Sequence, residues 1–323
     1  MTRIVIAETA DNAGRDLSVE RSILGPQADI VHYICDGNED RLIDACRDAD
    51  AILTDYSPFS RNVIAHLKSC RAISVAATGY NSIDIEAAEN AGIRVCAIDE
   101  YCTDEVADHV ILLMLALCRR LTEYHQQVQL ENRWQFDSLS GLVRLRGMTM
   151  GIIGFGKIGQ AVARRAASFG LNLIAYDPYG NTDVAADLKT QFCSLSELYA
   201  NADIISLNCG LTSENTHLLD AAAFQKMTKN PIVINCARGA LIDESALVQA
   251  LDSGQIKAAG LDVLDDESPD LEASGLTGRE NVILTPHVAF YSEASIRDNR
   301  RISASNLQNF LDGHHENVRH YIV

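Results

Sequence analysis

Four side chains placed just after apolar runs have the types needed for proton and anion chemistry. In "NVILTPHVAFY", His287 follows Pro286 at the end of a β-branched run. Proline cannot donate to a sheet ladder, so the run ends there and the histidine stands just past a strand tip. "VINCARGALIDESAL" sets Arg238 after a second run, and "GLDVLDDESPD" sets Asp262 and Glu267 after a third. An imidazole exchanges a proton near neutral pH, and a guanidinium grips a carboxylate through two parallel hydrogen bonds while polarising a neighbouring carbonyl. A carboxylate beside the imidazole favours its protonated form. Together these groups suit proton transfer and anion binding in one crevice. Each also has a plainer reading by itself. His287 can be a strand-end hydrogen-bonding residue, Arg238 a surface ion-pair partner, Asp262 a turn cap, and Glu267 part of a solvated acidic run with Asp265 and Asp266. What favours the joint reading is their common placement at the C-terminal ends of strands, where open α/β sheets gather their chemistry.

A dinucleotide signature is written in "MGIIGFGKIGQAVARRAASFGLNLIAYD", with Gly154, Gly156 and Gly159 in G-x-G-x-x-G order. The pattern alone is weak, but here it follows an apolar strand and opens a helix. Gly154 permits the tight turn, Gly156 lets a pyrophosphate approach the backbone, and Gly159 lets helix and strand pack closely. The following strand ends in Asp177, placed to accept from the adenosine ribose hydroxyls. Asp177 before Pro178 can also simply form a turn. Its charge would repel a ribose phosphate, and no arginine follows in "YDPYGNTD", so the expected cofactor is NAD rather than NADP.

The elements that must hold these groups alternate along the chain. "RIVIAE", "DIVHYIC", "AILTDY", "AISVAATG" and "IRVCAI" read as strands separated by helical segments, and a second series, "TMGIIG", "NLIAYD", "IISLNC", "PIVINCA", "AAGLDV" and "NVILTP", begins at 149. Such alternation means parallel strands joined by crossover helices. Between the series, "TDEVADHVILLMLALCRRLTEYHQQVQ" predicts one long helix with Thr103 as its N-cap. After the second series, "SEASIRDNRRISASNLQNFLDG" predicts a helix stopped by Gly313. The expected fold is α/β, with two doubly wound parallel-sheet domains enclosing a cleft.

Composition bounds the partners. At 323 residues, two cores are the default, and a net charge of −17 disfavours a nucleic-acid partner. The apolar run "VILLMLALC" at 110–118 is shorter than the roughly 20 residues a membrane helix needs, so no membrane partner is expected. The start, "MTRIVIAETADN", reads as a strand rather than a secretory leader, and a cytoplasmic location is expected. Nine cysteines without C-x-x-C or zinc-like spacing read as reduced core thiols. His314, His315 and His320 near the end read as a polar tail, and no metal is expected.

Across nearly the whole chain, the loop "ATGYNSID", the glycine fingerprint, "NCARGALIDESALVQAL", "GLDV" followed by a glutamate, and "TPHVAFYSEAS" resemble the D-isomer-specific 2-hydroxyacid dehydrogenase family. "YDPY", "NCGL" and "TPHVAFYSE" are similar to its C-terminal-binding-protein branch, and "ATGYN" to its glycerate dehydrogenases, which reduce hydroxypyruvate and glyoxylate. The resemblance implies a flavodoxin-like substrate domain, 1–99 with 290–323, and a Rossmann NAD-binding domain, 100–289. It implies catalytic roles for Arg238 (substrate orientation), Glu267 (the acid beside the histidine) and His287 (proton transfer). Cofactor contacts carry over to Thr78, Gly154, Phe155, Gly156, Lys157, Ile158, Gly159, Asp177, Cys209, Gly210, Leu211, Asn215, Cys236, Ala237 and His287, with Asp262 at the nicotinamide carboxamide. Substrate contacts carry over to Tyr56, Thr78, Gly79, Arg238, His287 and Phe290. The chain departs from the pattern at Asn208 and Gly210, where the family commonly has histidine and proline, and at Ser268, which separates Glu267 from Pro269. The resemblance also implies a homodimer, with the long helix after residue 103 as its arm. It admits two roles: a reductase of small 2-oxoacids (glyoxylate, hydroxypyruvate or pyruvate), or an NADH-sensing binding module.

Overall fold

The computed structural model describes residues 1–266 and 268–323. The chain divides into two compact units, Met1–Tyr101 with Ser292–Val323, and Cys102–Tyr291. The first holds strands β1 (Thr2–Glu8), β2 (Ala28–Ile34), β3 (Ala51–Thr54), β4 (Ala72–Val75) and β5 (Arg94–Cys96). They form an all-parallel sheet in the order β2-β1-β3-β4-β5. The second holds β6 (Thr149–Ile153), β7 (Asn172–Tyr176), β8 (Thr190–Phe192), β9 (Ile204–Leu207), β10 (Ile232–Asn235), β11 (Ala258–Leu261) and β12 (Val282–Leu284). These are also all parallel, in the order β12-β11-β10-β9-β6-β7-β8. Both sheets reverse strand order beside their first strand, the arrangement that opens a crevice at the strand C-termini.

The unbroken apolar runs follow from burial on both faces. In β1, Val5 and Ala7 join one cluster with Ile52, Ile73 and Leu42, while Ile4 and Ile6 join another with Leu53, Leu24 and Leu307. Leu307 lies on the helix Glu293–Leu311, so the end of the chain completes the first unit's core. In the second unit, Ile152 and Ile234 face one cluster, and Ile153 and Val233 face the other. The helix Thr103–Arg119 covers the first of these faces, with Val110, Leu113, Met114 and Leu117 buried.

Three local expectations differ from the structure. Thr103 is the first helical residue, preceded by Cys102 as N-cap with no side-chain cap bond. The single long helix breaks at Arg120, which takes φ 50°, and continues as Leu121–Gln129. Arg120 supports that left-handed residue itself: its Nε donates to Glu123 at 2.8 Å and its Nη1 to the Ser140 carbonyl at 3.0 Å. The short edge strand β8 carries too brief an apolar signal to be read from sequence. Among the described residues, no helix is long and apolar enough to cross a membrane.

Candidate active site

In the second unit, β10, β11 and β12 lie side by side, and their C-terminal ends carry Arg238, Asp262 and His287. Parallel pairing makes this juxtaposition, because all strand tips then point the same way. Glu267 lies outside the described residues.

The turn bearing Arg238 is built by Asn235, which is 1% exposed. Its side-chain oxygen accepts from Ala237 N–H at 3.0 Å, and its amide donates to the Arg238 carbonyl at 2.9 Å. Gly239 follows because nothing larger fits: an added Cβ would stand 1.9 Å from the Leu264 carbonyl oxygen. Arg238 is half-buried, and its Nη1 donates to the Ala237 carbonyl at 2.7 Å.

His287 is half-buried with φ 50°, a left-handed conformation rare for a residue with a side chain. Its backbone N–H donates to the Asp262 carbonyl at 2.7 Å, and its ring meets Phe290 edge-on at 5.9 Å. Asp262 is engaged inward. Its Oδ1 accepts from Thr285 Oγ1 at 2.5 Å and Val288 N–H at 2.9 Å, and its Oδ2 accepts from Ala289 N–H at 2.9 Å. The side chain of Asp262, which the resemblance assigns to a nicotinamide carboxamide, is 0% exposed.

The glycine loop fits a dinucleotide. Gly154 takes φ 89°, and a Cβ there would lie 2.6 Å from Cys209 N; one at Gly159 would lie 2.1 Å from the Gly154 carbonyl oxygen. Gly156, by contrast, faces open space, with nothing within 4 Å of an added Cβ. It is the N-cap of the helix Lys157–Ser168 and adds no side chain there, the kind of helix end that suits an anion. Asp177 accepts Phe155 N–H at 2.7 Å and Tyr179 N–H at 2.8 Å, so the turn role and a place at the loop's rim coexist. Phe155 offers the site only backbone, since its ring is buried edge-on to Phe192 at 5.5 Å. Lys157 is exposed and Ile158 half-buried on the helix's first turn.

Among the other expected cofactor residues, Asn215 shapes its own loop, donating to the Gly210 carbonyl at 2.7 Å and accepting Thr212 N–H at 2.7 Å, across Leu211. Burial pushes the Cys209 thiol up to about 11, and burial followed by the Asp262 charge raises that of Cys236, so both stay protonated at neutral pH.

In the first unit, Tyr56 follows β3 and is 47% exposed, while exposed Thr78 and half-buried Gly79 follow the neighbouring β4. Asp55, 5% exposed, holds the Tyr56 turn by accepting from Thr9 Oγ1 at 2.8 Å, Asn12 Nδ2 at 3.1 Å and Ser57 N–H at 3.1 Å. Sequence reasoning passed over the builders Asn235, Asp55, Thr285 and His109. The first two did carry a signal, as polar residues ending fully buried strands.

The family described as D-isomer specific 2-hydroxyacid dehydrogenase, NAD binding domain, matches residues 111–289. A hydroxypyruvate reductase of Blautia hydrogenotrophica is 36% identical over 284 residues, covering 86% of this chain and 87% of that protein. The apo-structure of Escherichia coli D-lactate dehydrogenase superposes with TM-score 0.80 at 30% identity, over 99% of this chain and 100% of that one. D-lactate dehydrogenase from Aquifex aeolicus, complexed with NAD and lactic acid, gives TM-score 0.88 at 26% identity, over 98% and 99% of the two chains.

Proposed function

The chain belongs to the D-isomer-specific 2-hydroxyacid dehydrogenases, NAD-dependent oxidoreductases, and from that premise we propose that it interconverts a small 2-oxoacid and its D-2-hydroxyacid, with His287 as general acid and base. Glyoxylate, hydroxypyruvate and pyruvate define the substrate class. The observation that carries the reading is the adjacency of β10, β11 and β12, whose tips bear a cation and an imidazole on loops fixed by buried polar residues.

Bound NAD carries the hydride. Arg238 holds the substrate carboxylate and draws electron density from the carbonyl. His287 gives its imidazolium proton to the oxygen during reduction and takes it back during oxidation. Glu267, as its partner, favours the imidazolium. Tyr56, Thr78, Gly79 and Phe290 are assigned to the substrate by resemblance. Homodimerisation belongs to the same proposal, and the exposed Leu121, Leu130, Trp134 and Phe136 supply apolar surface beyond the helix Thr103–Arg119.

The test is steady-state reduction of glyoxylate, hydroxypyruvate and pyruvate with NADH, across pH, for wild type, His287→Ala and Glu267→Gln. We expect turnover of at least one substrate and a loss on the order of a hundredfold or more in His287→Ala. Removing the Glu267 charge disfavours imidazolium, so reduction should fail at lower pH in Glu267→Gln than in wild type. Tight NADH binding without turnover of any substrate would instead identify an NADH-sensing binding module.

A further inference from the structure

We propose that the half-buried His109 and Thr285 and the buried Asp262 form a hydrogen-bonded chain that sets the position of His287, making His109 a positioning residue for proton transfer. The inference rests on the role of His287 given above. His109 lies on the helix Thr103–Arg119, which packs against β10, β11 and β12. Its Nε2 is 3.0 Å from Thr285 Oγ1, a partner 176 residues away in the chain.

The direction of each bond follows from counting protons. Thr285 Oγ1 has one proton and lies 2.5 Å from Asp262 Oδ1, among donors that all converge on that carboxylate. The hydroxyl therefore donates to Asp262, and it must accept from His109. His109 thus carries its proton on Nε2, with that nitrogen 3.6 Å from Asp262 Oδ1, too far for a direct hydrogen bond. Asp262 in turn binds the loop at four points: Thr285 Oγ1, Val288 N–H and Ala289 N–H reach its carboxylate, and His287 N–H reaches its carbonyl.

These bonds bracket the one strained residue of the loop. A histidine at φ 50° holds that conformation only when its surroundings over-determine it. Val288 and Ala289 on one side and Thr285 on the other leave the His287 backbone little freedom, and so direct its ring. Among the described residues, the Thr285 hydroxyl meets Asp262 and His109, the latter with its side chain 13% exposed. Removing the His109 donor leaves the half-buried Thr285 oxygen short of a partner, and the hydroxyl then has reason to turn away from Asp262.

The experiment compares His109→Leu and Thr285→Val, which lose the donor and the hydroxyl, with His109→Gln and Thr285→Ser, which keep an N–H at similar reach and the hydroxyl. Each is measured for oxoacid reduction per NADH-binding site, for oxoacid KM and NADH Kd, and by ¹⁵N NMR of the histidine rings without ligand. We expect kcat to fall about ten- to a hundredfold in the first pair, as misplacement of an acid group does, with KM and Kd changed by less than about threefold. The second pair should recover most of that loss. The NMR should show His109 with its proton on Nε2 in wild type and a mixture of tautomers in Thr285→Val. Wild-type kcat per binding site in His109→Leu and Thr285→Val, or a fall in kcat that His109→Gln and Thr285→Ser do not relieve, overturns the proposal. A failure of the His287 assignment is separate, because His287→Ala would then keep its turnover whatever these four variants do.

Discussion

At the scale of single residues, the chemistry depends on groups whose freedom has been removed by neighbours. Asn235 holds the turn that bears Arg238, and the guanidinium is itself steadied by its Nη1 donating to the Ala237 carbonyl. Arg238→Lys should cut kcat/KM for any oxoacid on the order of a hundredfold, because an ammonium cannot form the planar two-bond contact with a carboxylate. Near-normal efficiency in that variant would remove Arg238 from the mechanism. Asp177 is fixed by Phe155 N–H and Tyr179 N–H, one on each oxygen, so its charge stays at the rim of the glycine loop. The ratio of kcat/KM with NADH to that with NADPH should be large in wild type and shrink in Asp177→Ala. Equal use of both cofactors by the wild type would show that this carboxylate does not govern the choice. Arg238, Asp177 and His287 were legible in the sequence because each follows an apolar run. The residues that bind their turns were not, since an asparagine or threonine at a strand end has the same local pattern whether or not it builds a turn.

At the scale of elements, the two sheets were legible because strands buried on both faces are continuous β-branched runs. β8 escaped because it is a short edge strand. The break at Arg120 escaped because the sequence there has neither glycine nor proline, while bonds to Glu123 and Ser140 and a charge contact with Glu280 support the left-handed residue. The glycine loop separates two kinds of glycine by a direct measurement. Gly156→Ala fits the backbone, which has φ −72°, and meets open space, so the melting temperature should stay within about a degree while NADH Kd rises about tenfold or more. In Gly159→Ala the new carbon would sit 2.1 Å from the Gly154 carbonyl oxygen. That overpacking should destabilise the fold by about 3 kcal/mol, visible as a lower denaturation midpoint. Unchanged NADH affinity in Gly156→Ala would mean that no phosphate approaches that position.

At the scale of the whole molecule, the chain carries a net charge of −17, each unit packs apolar clusters on both faces of its sheet, and an ionic cluster is buried inside the first unit. Arg15 there grips Glu8 with two bonds of 2.7 and 2.8 Å and lies 2.7 Å from Glu20, whose side chain is 0% exposed. His32 Nε2 also meets Glu8 at 2.9 Å. The contact with Glu20 is close in distance but misaligned as a hydrogen bond, so it acts chiefly through charge. Burial alone would lower the Arg15 pKa, but its bonds to Glu8 and the charges of Glu8 and Glu20 outweigh it and hold the guanidinium above its ordinary value. Arg15→Met leaves two buried carboxylates without their cation and should cost about 3–5 kcal/mol in urea denaturation. Adding Glu20→Gln should recover part of that loss. If Arg15→Met alone costs nothing measurable, the cluster is not a structural keystone of this unit.

The sequence by itself determined the parallel α/β plan, the glycine turn that opens a helix, the acidic residue that ends the next strand, and the strand ends that carry Arg238, Asp262 and His287. These are written in local terms: side-chain periodicity, turn residues, and the few backbone conformations each residue type allows. Tertiary structure alone decided that Asp262 faces inward to bind the His287 loop, that His109 meets Thr285 across 176 residues, and that Glu8, Arg15 and Glu20 share one buried site. The physical reason is that a buried polar group must find a donor or acceptor somewhere in the folded chain, and which one it finds depends on what the sheets and helices bring beside it after they pack.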